Sequence, residues 1–176
     1  MIRIVIAEDQ ELLLGTIESL LNLENDMEVV GQAGNGREAL SLIHSLQPDV
    51  CIMDIEMPVQ SGLEAAEALK QLECKTIILT TFARRGYFQR ALNADVRGYL
   101  LKDSPSEELV SSIRGVMAGE RIYSQELMDE EMGGNEKDKH PYEAMLANSQ
   151  PERRSSIGTV RYYVSAIIDK IKHKAG

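Results

Sequence analysis

The chain reads as an α/β protein, a doubly wound parallel sheet of five strands with helices on both faces and a short helical appendage at the C-terminus. Three observations predict this. Five short apolar runs, Ile2–Ala7, Met27–Ala33, Asp49–Asp54, Lys75–Thr81 and Arg97–Lys102, alternate with segments of helical period such as Glu11–Leu23 and Ser106–Met117. Strands that alternate with helices belong to parallel crossovers. The runs are almost continuously apolar and rich in Val, Ile and Leu, which means burial on both faces. Their carboxyl ends are polar, and in an open sheet of this kind ligands bind at those ends.

The first run ends in the acid pair Glu8-Asp9. The second leads into Gly31-Gln-Ala-Gly-Asn-Gly36, whose glycine spacing and place after the second strand mark a strand-to-helix turn rather than a dinucleotide loop. The third, Asp49-Val-Cys-Ile-Met-Asp54, ends in a carboxylate, and Pro58 and Gly62 shape the loop that follows it. The fourth brings Thr80 and Thr81 to its end, and the fifth, Arg97-Gly-Tyr-Leu-Leu-Lys102, brings an ammonium. Cys51 inside a strand and Cys74 just before one have neither metal-ligand nor disulfide spacing, which suits burial in a reducing cytoplasm. His44, His140 and His173 are scattered surface or partly packed residues, and none is expected to carry a phosphoryl group.

A linker is expected over residues 121–156, mostly irregular, because Gly133-Gly-Asn-Glu-Lys-Asp-Lys-His-Pro141 and Ser149–Ser156 are polar and rich in breakers. One short helical turn is expected around Tyr142–Ala147. Residues 157–176 form the appendage: Val160, Tyr163, Val164, Ile167, Ile168 and Ile171 recur at helical spacing.

Composition fits one globular domain with an appendage: 176 residues, of which 43% are hydrophobic and 27% charged. Neither a membrane span nor a signal peptide is visible, so a cytoplasmic protein is expected. The net charge of −9 is unevenly spread. Residues 150–176 carry Arg153, Arg154, Arg161, Lys170, Lys172 and Lys174 against Glu152 and Asp169, a net +4, and residues 1–149 carry −13. An acidic body argues against nucleic-acid binding by the body, and a basic tail permits it.

Residues 1–120 resemble a response-regulator receiver domain of the NarL/FixJ family. The resemblance rests on Glu8-Asp9, Met53-Asp-Ile-Glu-Met-Pro58 with Gly62, Thr80-Thr81, and Tyr99-x-x-Lys102. It implies a flavodoxin-like strand order 2-1-3-4-5 and a two-component phosphorelay. Asp54 would accept a phosphoryl group from a sensor histidine kinase, Mg²⁺ would be held by Asp9, Asp54, the Glu56 backbone carbonyl and, through water, Glu8, and Lys102 and Thr80 would meet the phosphoryl oxygens. Thr80 and Tyr99 would act as a switch, followed by homodimer formation, control of transcription and later autodephosphorylation.

Elementary electrostatics supports a cation there. Each pair of like charges about 4 Å apart costs on the order of 4 kcal/mol at an effective dielectric near 20. Three carboxylates and an incoming phosphoryl dianion therefore need one, and Mg²⁺ suits oxygen donors and phosphate.

Ser156–Lys172 resembles the recognition helix of a LuxR-type helix-turn-helix, which would place Thr159, Arg161, Tyr162 and Ser165 toward promoter DNA. The two scaffold helices of that motif have no counterpart between Met132 and Ser156. The apolar stripe is therefore expected to dock on the receiver, pair with another chain or stay partly disordered. Two alternatives to a transcriptional regulator stay open at this point: a receiver acting through protein contacts alone, and a Mg²⁺-dependent phosphatase with an aspartyl nucleophile.

Overall fold

Alternate residues of a strand point to opposite faces of the sheet, so an apolar run with no polar alternation must be covered twice. The computed structural model, which describes residues 1–81, 84, 86–132 and 156–174, has that architecture. In chain order the elements are β1 (Ile2–Ala7), α1 (Glu11–Asn22), β2 (Met27–Ala33), α2 (Gly36–Leu46), β3 (Val50–Met53), α3 (Gly62–Leu69), β4 (Lys75–Thr80), α4 (Tyr87–Asn93), β5 (Gly98–Leu101), α5 (Ser106–Met117), β6 (Ile122–Tyr123), α6 (Gln125–Met132) and α7 (Ser156–Lys174). The sheet is parallel in the order β2-β1-β3-β4-β5-β6.

The two faces form two cores. Val5, Cys51, Met53, Ile78 and Tyr99 face Ala39, Ile43, Leu63, Leu69 and Ala91 of α2, α3 and α4. Ile4, Ile6, Ile52, Ile77 and Leu100 face Leu13, Ile17, Leu109 and Ile113 of α1 and α5. Cys51 is fully buried and Cys74 partly so, both as free thiols. The Gly31–Gly36 segment runs from the end of β2 into α2 through a turn at Gly34 and Asn35, where the Asn35 side chain caps α2 by accepting from the Glu38 N–H at 3.0 Å.

The segment expected as linker begins with structure. Ile122 N–H donates to Arg97 O and Ser124 N–H to Tyr99 O, so β6 extends the five expected strands to six. Its hold is tertiary: the Tyr123 ring meets Phe88 edge-on at 5.2 Å and its hydroxyl donates to Val96 O at 3.1 Å, while Leu127 of α6 is buried. Two residues carry no readable period, so no sequence pattern announces such a strand. Residues 133–155, including the turn expected at Tyr142–Ala147, lie outside the described residues.

The appendage docks on the receiver. Val160 and Tyr163 are buried in the core shared by α1 and α5, with Ala166 and Ile167 packed against it, and Lys170 pairs with Glu24 just beyond α1. Burial of such a side chain contributes about 3 kcal/mol, a scale that decides whether a helix marginal in water forms here. A second apolar row, Val164, Ile168 and Ile171, stays exposed beside Arg161 and Ser165. The side chains of Thr159 and Tyr162 lie outside what is described. Among the described residues no helix is long and apolar enough to cross a membrane.

Candidate functional site

Four adjacent parallel strands bring their carboxyl ends to one edge of the sheet, and the predicted residues meet there. Glu8 follows β1, Asp54 follows β3, Thr80 ends β4 and Lys102 follows β5. Ladder hydrogen bonds hold the backbone at each of three ends: Glu8 N–H to Ala33 O at 2.9 Å, Asp54 N–H to Ala7 O at 2.9 Å, and Lys102 N–H to Thr80 O at 2.8 Å.

The loop after Asp54 is shaped by steric need. A Cβ on Gly62 would lie 2.0 Å from the Asp54 carbonyl oxygen, so only glycine lets α3 start against the strand end. Ser61 and Glu64 form a capping box that starts the helix there. Val59 sits at φ 67, a left-handed conformation that β-branched residues avoid and that tends to occur near functional sites.

Lys102 is the centre of charge. Its Nζ lies 2.6 Å from Glu8 Oε2 and 2.9 Å from Asp54 Oδ2, and all three side chains are almost wholly buried. Glu8, Asp9 and Asp54 each offer a carboxylate oxygen, all within 4.8 Å of one another. Burial, reinforced by Asp54 and opposed by Lys102, pushes the Glu8 carboxyl up to about 7. Burial likewise raises Asp54, against Lys102 and the backbone N–H groups of Glu56 and Ile55 that bond its carboxylate. Burial alone would lower Lys102, but Asp54 and Glu8 hold it above its ordinary value.

This donor set suits a hard divalent cation, with three carboxylate oxygens at short range and two carboxylates more than the single ammonium can neutralise. The same geometry suits nucleophilic carboxylate chemistry, because Asp54 is held by its neighbours and an ammonium waits beside it. Thr80 is buried at the end of β4 and Tyr99 is buried in β5, its ring 5.6 Å from Phe88.

The sequence reading missed Arg84, whose guanidinium meets the exposed Glu56 carboxylate at 2.5 Å. Its position four residues after Thr80, in the loop beyond another strand end, is the one signal available for it. The Glu8–Lys102 pair, shorter than Asp54–Lys102, was also not foreseen.

Comparison with known proteins agrees with this geometry. Residues 4–114 match the response regulator receiver domain. The chain is 55% identical over 183 residues to the transcriptional regulatory protein DesR of Bacillus subtilis (strain 168), covering 99% of this chain and 92% of that protein. It is 50% identical over 189 residues to the uncharacterized transcriptional regulatory protein YvfU of the same organism, again covering 99% and 92%. Both alignments exceed the 176 residues of the chain, so each relative carries internal residues without a counterpart here. A crystal structure of a LuxR-family DNA-binding response regulator from Staphylococcus aureus superposes with a TM-score of 0.63 at 42% identity, over 66% of this chain and 98% of that one. Relatives that match over nearly the whole chain are regulators of transcription, so neither the contact-only receiver nor the phosphatase is favoured. The chain belongs to the response regulators, as a two-component regulator of transcription of the NarL/FixJ type with a receiver domain.

Proposed function

We propose that Asp54 is the phosphoacceptor of this regulator, that the regulator acts in the cytoplasm, and that its donor is the phosphohistidine of a sensor histidine kinase. The observation that carries this reading is the buried Asp54 carboxylate beside the Lys102 ammonium and the Glu8 and Asp9 oxygens. One Asp54 oxygen attacks phosphorus as the phosphorus–nitrogen bond to the imidazole breaks, and the product is an acyl phosphate. The chemistry asks mostly for positioning and charge neutralisation.

Lys102 offsets charge on the phosphoryl oxygens and Thr80 donates its hydroxyl to one of them. Glu8, Asp9, Asp54 and the Glu56 carbonyl are the groups that would hold Mg²⁺, which supplies the positive charge the three carboxylates lack. Movement of Thr80 toward the phosphoryl group is passed to Tyr99 and changes the surface formed by α4, β5 and α5. That surface supports a homodimer, and hydrolysis of the acyl phosphate by water resets the protein.

Contact with promoter DNA runs through the exposed side of α7, where Arg161 and Ser165 lie. With only four net positive charges on residues 150–176 against −13 on residues 1–149, that contact is weak in this chain.

The test is incubation with acetyl phosphate and Mg²⁺. One phosphoryl group, labile to base and hydroxylamine, is expected on the wild-type chain and none on Asp54→Ala or after chelation by EDTA. Undiminished labelling of Asp54→Ala refutes the assignment.

A further inference from the structure

Glu56 is engaged on two sides. Its backbone N–H bonds the Asp54 carboxylate, while its own carboxylate, half exposed, is held at 2.5 Å by Arg84. The Arg84 Cζ lies 5.9 Å from the ring centroid of Tyr87, the first residue of α4. Phe88 follows Tyr87 and packs on Tyr99 at 5.6 Å. Asp54 and α4 are thus joined by a short path on the outside of the molecule, distinct from Thr80.

We propose that Arg84 is a positioning residue that couples the Asp54 site to α4, through a bridge made of Glu56, Arg84 and Tyr87. The proposal rests on Asp54 being the phosphoacceptor. In the resting chain the Asp54 carboxylate carries the charge that the Glu56 N–H bonds. Formation of the acyl phosphate moves the negative charge from the Asp54 carboxyl oxygens to the phosphoryl group and weakens the bond, since hydrogen bonds to an ionised acceptor are roughly twice as strong as neutral ones. Residue 56 is then freer to move, and Arg84 carries the movement to Tyr87.

Each contact in the bridge is modest. An exposed ion pair is good for no more than about a fivefold shift in an equilibrium, and a cation over an exposed ring for a similar factor. That range suits a trimming device that sets how far α4 responds, with the buried Thr80–Tyr99 pair supplying the rest.

The experiment follows hydrogen exchange in the α4 amides of the full chain with and without beryllofluoride and Mg²⁺, alongside acetyl phosphate labelling. The wild-type chain should show a ligand-dependent change in α4 exchange. Arg84→Ala should shrink that change about threefold or more, Glu56→Gln should do the same, and the double variant should lose no more than either single one. Arg84→Lys, which keeps the charge, should restore part of it. Arg90→Ala is the control for mere loosening, because it removes a comparably exposed pair from α4 to Glu67 of α3 at 2.8 Å that does not touch residue 56. It should preserve the ligand-dependent change. A wild-type response in Arg84→Ala, additive losses in the double variant, or an equal loss in Arg90→Ala overturns the proposal while labelling of Asp54 still stands. A wild-type chain that neither labels nor responds overturns the phosphoacceptor reading and this proposal together.

Discussion

Replacing Glu8 by Gln should reverse part of the pH dependence of folding. Glu8 is 2% exposed, and burial raises its carboxyl from an ordinary 4.5 to about 7. The folded chain therefore holds a proton that the unfolded chain gives up, and stability is full below pH 4.5 and lost as pH rises toward 7. At about 1.4 kcal/mol per pH unit, the part of that window between pH 5 and 8 amounts to about 2–3 kcal/mol. Gln has the same shape and no titration. Urea unfolding of the metal-free chain at pH 5, 6, 7 and 8 should show Glu8→Gln gaining about 2–3 kcal/mol on the wild type across that range.

The comparison with the variant also removes the opposite trend from carboxylates such as Glu24 and Asp95. Burial would raise Glu24, but Lys170 and Arg114 hold it low, while Arg121 and Arg97 lower Asp95 against burial. These influences are common to both chains. Added Mg²⁺ should narrow the gap at pH 8 by offsetting the charge on Glu8. Parallel pH curves for the two chains would refute the reasoning, because they would mean that the site does not desolvate this carboxyl.

Tyr163→Ala removes the anchor of α7 and should cost about 3–5 kcal/mol locally, enough to lift the helix, so exchange of residues 156–174 should lose protection while the core strands keep theirs. Gly62→Ala must move the Asp54 backbone away from a contact of 2.0 Å, and urea unfolding should show a loss of at least about 2 kcal/mol with slower labelling by acetyl phosphate. Thr80→Ala should still be labelled but fail to dimerise in beryllofluoride, as read by sedimentation. Titration of labelled duplexes should show little preference for promoter-like over random sequence and a log-log salt slope near about −3.6, from roughly four phosphates neutralised per chain.

The strands and their polar ends were legible because burial on both faces leaves an unbroken apolar run, and a parallel sheet forces all carboxyl ends to one edge. Asp54, Glu8 and Lys102 could be brought together on that ground alone. Which carboxylate Lys102 approaches most closely depends on side-chain reach across neighbouring strands, and sequence spacing does not encode it. Ile122–Tyr123 was hidden for want of length, since its hold comes from Phe88 and Val96, 34 and 26 residues before Ile122. The stripe on α7 was plain, but its destination was not, because the face that receives it exists only once α1 and α5 lie side by side.

The docking of α7 has a quantitative corollary in mass action. Residues 133–155 number 23 and reach no farther than about 80 Å at full extension, whatever path they take. One helix confined to a sphere of that radius is present at about a millimolar local concentration. A free helix with the same intrinsic affinity for the α1–α5 face would have to reach that level to occupy half of the molecules, well above what most cellular proteins attain. Shortening the connection raises this threshold and cutting it abolishes the threshold altogether, so access to the face is set by the length of the connecting segment.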